Sequence, residues 1–157
     1  MKSFAVKMAV TAAAAAFLFM FVIGIYLCTA NSMYPRVLDG DLLITSRISG
    51  ISSGDVIVFS RDGKHMCSRV AAVPGDRISV SEAGTVTVNG MPVSEEVFYP
   101  TDPGDADYPA ELGEGEYFVL SDYRISTGTD SRSSSVGIVT SRDIEGKVIF
   151  LVRRRGF

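Results

Sequence analysis

The sequence predicts a mainly β fold carried behind one N-terminal transmembrane helix. Two observations support this. From Met8 to Cys28 no residue is charged and Ala, Phe, Leu, Met, Val and Ile fill nearly every position. Beyond Cys28 helical periodicity disappears, and short apolar runs alternate with clusters of Gly, Asp, Ser and Pro, the pattern of antiparallel strands joined by turns. A chain of 157 residues has room for one modest domain plus an anchor.

The apolar run comes first. At about 1.5 Å per residue it just crosses a hydrocarbon core of about 30 Å. A cleavable signal peptide would carry an apolar stretch of about 7–15 residues ending in a small-x-small site. Here the run is longer, and Cys28-Thr29-Ala30 is a poor exit. Leu27 also stands where a lipoprotein cysteine would need a small residue before it. An uncleaved anchor is therefore expected. Lys2 and Lys7 precede it with no acid between them, and basic flanks stay in the cytoplasm, although Arg36 and Arg47 beyond the span weaken the contrast. The expected organisation is a short cytoplasmic tail (1–7), a transmembrane helix (8–28) and an extracytoplasmic β domain (29–157) in a bacterial cytoplasmic membrane, with the bilayer as one partner.

Strands are expected at Leu42–Thr45, Asp55–Ser60, His65–Val73, Arg77–Ser81, Thr85–Val88, Tyr117–Leu120 and Lys147–Val152. Asp62-Gly63 and Asn89-Gly90 are hairpin turns, because these pairs adopt positive φ at little cost. Pro74-Gly75-Asp76 closes a further strand. The stretch from Tyr99 to Leu112 reads as a surface loop, and Ser121–Ser135 as a polar segment. No internal repeat is visible.

Composition removes several classes of function. A net charge of −3 argues against nucleic acid as a partner. One histidine and two cysteines are too few for a metal centre or a disulfide framework, so no metal or cofactor is expected. The run Arg153-Arg154-Arg155 is most simply a solvated tail, or a contact to anionic headgroups.

Four segments carry chemistry. Directly after the apolar run stands Asn31-Ser32-Met33-Tyr34-Pro35-Arg36-Val37-Leu38-Asp39-Gly40-Asp41. Next comes Ser68-Arg69-Val70-Ala71-Ala72-Val73-Pro74-Gly75-Asp76. The third is Gly115-Glu116-Tyr117-Phe118-Val119-Leu120-Ser121-Asp122-Tyr123-Arg124, followed by Asp130-Ser131-Arg132 and Gly137. The last is Ile144-Glu145-Gly146-Lys147-Val148. Alone, Ser32 would be an ordinary loop residue. In this order and spacing, the four segments resemble the conserved boxes of type I signal peptidase, over residues from about 5 to 152.

The resemblance implies a fold of coiled antiparallel sheets and a Ser/Lys dyad that hydrolyses an amide. Ser32 would be the nucleophile, and its hydroxyl needs a base to take the proton. In the family that base is a lysine kept neutral by burial. Substrates would be exported preproteins, whose signal peptides add a strand along the sheet edges and are cut after small-x-small sites. Asn31, Met33 and Pro35 flank the nucleophile as substrate-binding candidates. Asp130 and Arg132 are expected to pair and brace the site, with Asp122 in support.

One departure matters. Ser68 occupies the position of the lysine. Lys64 and Met66 share its strand face, whereas His65 and Cys67 point the other way unless a bulge intervenes. Lys64 lies roughly 13 Å along a regular strand from Ser68, and Arg69 stays protonated. The family's serine that orients the lysine falls at Gly128, with Thr127 beside it as a stand-in. Three readings stay open: a signal peptidase with an unconventional proton acceptor, a signal-peptidase-like groove that binds exported or pilus subunits without cutting, and an unrelated membrane-anchored β module.

Overall fold

The computed structural model describes residues 2–93, 99–125 and 128–153; Thr127, Arg154 and Arg155 lie outside them. A single helix, α1 (Lys2–Val22), leads into strands β1 (Ile23–Leu27), β2 (Leu42–Ser46), β3 (Val56–Arg61), β4 (Lys64–Ala72), β5 (Arg77–Val80), β6 (Val86–Val88), β7 (Met91–Pro92), β8 (Ala110–Glu111), β9 (Glu116–Leu120), β10 (Val139–Thr140) and β11 (Ile144–Val152). Every pairing is antiparallel. The mainly β expectation holds.

The helix is a 20-residue apolar segment, Ser3–Val22, long and apolar enough to cross a membrane by length and composition, and its apolar window is wholly exposed in the fold. It stops earlier than the charge-free run. Ile23–Leu27 forms β1 in place of further helical turns, because it finds a full ladder on β2, from Ile23↔Ser46 to Leu27↔Leu42. β-branched Ile23 and Ile25 suit a strand, and pairing satisfies their backbone groups equally well. No linker separates the two elements. Arg47 N–H donates to Val22 O at 2.8 Å, and its guanidinium reaches Met20 O at 3.3 Å, so the domain itself caps the helix C-terminus.

Seven strands form one sheet in the order β1-β2-β11-β3-β4-β9-β10, and four form a second, β7-β6-β5-β8. The turns expected at Asp62-Gly63 and Asn89-Gly90 adopt positive φ at both residues, 52° and 73° in the first and 52° and 80° in the second. β8 interrupts the stretch expected to be a loop. Three apolar clusters fill the interior. One joins the smaller sheet to Phe118 and Leu120. A second packs Ile57, Phe59, Val70, Val119, Val136 and Val139. The third, Cys28, Met33, Val37, Leu43, Val58 and Cys67, lies beneath Ser32.

The long strand β11 is broken in register twice. Its ladder shifts between Ile144 and Gly146 against β3, and again between Val148 and Phe150 against β2. Glu145 is thus an extra residue at a bulge, a device that bends a strand and redirects a side chain.

Candidate active site

The site grows from two strands with open edges. β1 is the outer strand of the larger sheet and, among the described residues, pairs only with β2. β4 pairs with β3 along most of its length, but with β9 only at Arg69–Ala72, which leaves the Lys64–Ser68 half free on that side. Between these two edges runs a groove of about 390 Å³. Tyr26, Leu27, Cys28, Thr29 and Ala30 form one wall, Lys64, His65, Met66 and Cys67 the other, with Leu43, Val58, Ser32 and Thr129 completing it.

Ser32 lies at one end of this groove, largely buried at 9% exposure. Its carbonyl accepts from Tyr123 N–H at 2.9 Å, and the neighbouring Met33 is fully buried in the cluster below. Met33 Sδ accepts from Asp122 N–H at 3.4 Å. The segment around residues 122–123 therefore holds the Ser32 loop on two sides. A cis peptide joins Tyr34 to Pro35. Asn31 and Pro35 are exposed and do not line the groove; the Asn31 side chain instead accepts from Asp39 N–H at 2.9 Å. Of the substrate-binding candidates, only Met33 packs under the groove.

Ser68 is fully buried and its hydroxyl donates to Thr129 O at 3.0 Å. It does not line the groove, whereas Thr129 does. No hydrogen bond joins Ser68 to Ser32 among the described residues. A serine that has given its proton to a carbonyl keeps lone pairs but is far too weak a base at neutral pH to activate another hydroxyl. Its neighbour Arg69 binds Asp122 through two parallel bonds, Nε–Oδ1 at 2.8 Å and Nη2–Oδ2 at 2.6 Å. Asp122 thus ties the Ser68 strand to the Ser32 loop.

Asp130 and Arg132 form a bidentate pair, both side chains wholly buried, with Nη2–Oδ2 at 2.7 Å and Nε–Oδ1 at 3.0 Å. The carboxylate also accepts from Ser121 N–H at 2.8 Å, and the guanidinium donates to Arg124 O at 2.8 Å and Asp102 O at 3.0 Å. The pair locks the loop that presents Thr129, whose hydroxyl lies 2.9 Å from Ser121 Oγ.

The remaining groups in the groove differ in their capacity for acid–base work. Burial, with a lesser contribution from Cys28, pushes the Cys67 thiol up to about 12. It stays protonated and is neither base nor thiolate nucleophile. His65 lines the groove beside Cys67, whose strand face it shares, while Ser68 on the opposite face does not. The ladder with β3 runs unbroken there, so no bulge intervenes. His65 stands about 6.6 Å further from the Ser32 end than Cys67, one strand repeat.

Three features in and beside the groove escaped the sequence. Tyr26 was hidden in the apolar run, and Glu145 gains its position from a bulge. Thr129 carried a faint signal, a hydroxyl residue directly before Asp130-Ser131-Arg132.

A leading helix long and apolar enough to cross a membrane, antiparallel sheets and a groove ending at Ser32 are the features that place the chain among known folds. The family model for signal peptidase, peptidase S26, matches residues 1–153. A signal peptidase I of Bacillus caldolyticus is 34% identical over 149 residues, covering 83% of this chain and 80% of the relative. One from Bacillus amyloliquefaciens is 27% identical over 142 residues, 80% and 72% of the two chains. The crystal structure of a signal peptidase I from Enterococcus faecalis V583 superposes with a TM-score of 0.53 at 25% identity, covering 64% of this chain and 98% of that one. The chain belongs to the signal peptidase family, peptidase S26.

Proposed function

We propose that this protein is a membrane-bound serine endopeptidase that removes signal peptides from exported preproteins after small-x-small sites, with Ser32 as nucleophile. The observation that carries the reading is the position of Ser32 at the end of a groove walled by two unpaired strand edges. A peptide laid there as an added strand satisfies its backbone on both sides and brings a carbonyl to Ser32 Oγ. The Ser32 backbone N–H is available as an oxyanion donor. Asp130–Arg132 and Asp122–Arg69 hold the surrounding loops, so they position the site without touching substrate.

The groove nearest Ser32 is apolar and narrow, walled by Cys28, Cys67, Leu43 and Val58, which suits a methyl-sized side chain at the first position before the cut. A non-cleavable signal-peptide analogue with Ala there is expected to bind the full-length protein in detergent. Leu at the same position should weaken binding by at least tenfold, since overpacking a closed apolar site costs about 1–3 kcal/mol. Equal affinities measured by fluorescence anisotropy would remove the pocket from the reading.

A second reading, a groove that binds exported or pilus subunits without turnover, is favoured by one observation. The Ser68 hydroxyl is committed to Thr129 O, and no strong proton acceptor adjoins Ser32 among the described residues. A preprotein cleavage assay comparing the native chain with Ser32→Ala separates the two.

Orientation follows from the basic N-terminal flank: the helix anchors the chain with its N-terminus inside and the β domain outside. Protease added to intact spheroplasts should digest the domain. Complete protection with a sealed cytoplasm would reverse the assignment.

A further inference from the structure

At the end of the groove away from Ser32, three polar side chains from three strands meet. Tyr26 on β1 donates its hydroxyl to Glu145 Oε2 at 2.5 Å. His65 on β4 places Nδ1 3.2 Å from Glu145 Oε1. The two rings pack edge-on, with centroids 5.2 Å apart at 60°. This clasp joins β1 to β4, strands with no ladder between them. Two local features build it. The β11 bulge at Glu145 brings a carboxylate within reach of Tyr26 and His65. Gly24 leaves room for the Tyr26 ring, since a Cβ there would meet Tyr26 Cε2 at 2.6 Å and Thr45 Oγ1 at 2.5 Å.

Spacing gives the clasp a role. Side chains on one face of a strand repeat about every 6.6–6.8 Å. Cys28 and Cys67 flank the Ser32 end, and Tyr26 and His65 stand two residues beyond them on the same strands. A substrate strand that puts its first residue between the cysteines therefore puts its third at the Tyr26–His65 pair. With Nδ1 beside the carboxylate and carrying a proton towards it, the other ring nitrogen of His65 accepts a hydrogen bond when the ring is neutral and donates one when it is charged. A methyl group placed there would strip water from these polar atoms and return nothing. A hydroxyl both donates and accepts, and satisfies either state.

We infer that Tyr26, His65 and Glu145 form a polar specificity pocket that selects a hydroxyl side chain, Thr or Ser, at the third residue before the scissile bond. The inference rests on the proposed peptide-binding groove and adds a preference at one position. In contact with His65 are Tyr26 from β1 and Glu145 from β11, with Lys64 beside it on β4 and Arg47, at the end of β2, acting on Tyr26.

The test uses full-length Ser32→Ala protein in detergent and peptides that differ only at the third position. Thr and Val are isosteric, and so isolate the hydroxyl. Thr is expected to bind about two- to tenfold more tightly than Val, the effect of one net hydrogen bond. His65→Leu should abolish or invert the preference. Glu145→Gln, which keeps the shape of the clasp, should reduce it, and gives a second measurement if His65→Leu does not fold. Gly24→Ala should act like loss of Tyr26, by displacing its ring. Equal binding of Thr and Val, with first-position Ala still preferred over Leu, overturns this inference and leaves the groove standing. Loss of discrimination at both positions overturns the two together. Tighter binding of Asp than of Thr would assign the pocket to Lys64 and overturn the hydroxyl preference.

Discussion

Ser68→Lys is expected to raise preprotein cleavage by roughly 10²–10⁴-fold, the contribution of one well-placed general base. On the proposed function Ser32 supplies the nucleophile and an oxyanion donor but, among the described residues, no strong acceptor adjoins it, so turnover should rest on groove binding and oxyanion stabilisation. Such residual machinery still supplies roughly 10³–10⁴-fold over water in stripped serine hydrolases. A lysine grown from the Ser68 position starts from a fully buried backbone site, where desolvation favours the neutral amine. It also lies next to the Thr129 carbonyl that Ser68 now engages. The gain should disappear when Ser32→Ala is added. Folding of the variant is checked by its thermal transition. No gain in a folded variant would mean that a side chain at 68 cannot reach Ser32 Oγ. Native rates already equal to those of lysine-bearing relatives would point to another acceptor, with His65→Ala and Lys64→Ala the next measurements.

Arg132→Ala should destabilise the β domain by about 3–5 kcal/mol, because it strands the Asp130 carboxylate in a site without solvent access. For a domain of this size that corresponds to a fall in Tm of roughly 6–20 °C, read from thermal unfolding of the detergent-solubilised chain. Arg132→Met should cost as much, since a matching apolar volume still leaves the charge unpaired. The double change Arg132→Met with Asp130→Leu should recover part of the loss. Peptide binding should fall with stability in the single variants, as the loop they release carries Thr129. A loss below about 1 kcal/mol, the value of an exposed pair, would contradict the buried geometry.

The sequence disclosed the parts of this fold that local chemistry dictates. Asp62-Gly63 and Asn89-Gly90 turn where expected because few other pairs accept two positive φ angles. The strands between them follow from alternation and β-branched content, and agree with the structure to within a residue or two. β1 was hidden for a physical reason. A five-residue apolar run reads identically as the last turns of a helix or as a buried strand, and only its partner Leu42–Ser46 decides. β7, β8 and β10, each two residues long, exist through pairing alone. At the site, the pairing of Asp130 with Arg132 was legible because motif spacing is a one-dimensional signal. Which face of β4 lines the groove was not: alternation correctly separates His65 and Cys67 from Ser68, but only the β1 edge opposite decides which face is used. Glu145 was equally opaque, its direction being set by a bulge.

The absence of a linker between Val22 and Ile23 has a mechanical consequence. Arg47 grips the last helical turn through its backbone and its guanidinium, and β1, which continues the helix, is itself one wall of the groove. Helix and groove wall are therefore joined directly, with no linker residues between them. A bilayer that fixes the helix fixes the height of Ser32 above the lipid. On the proposed function the protein would then act as a ruler: a bond would come within reach only at that one height, so the distance from a substrate's own apolar segment to its cleavage site would be measured against the membrane surface.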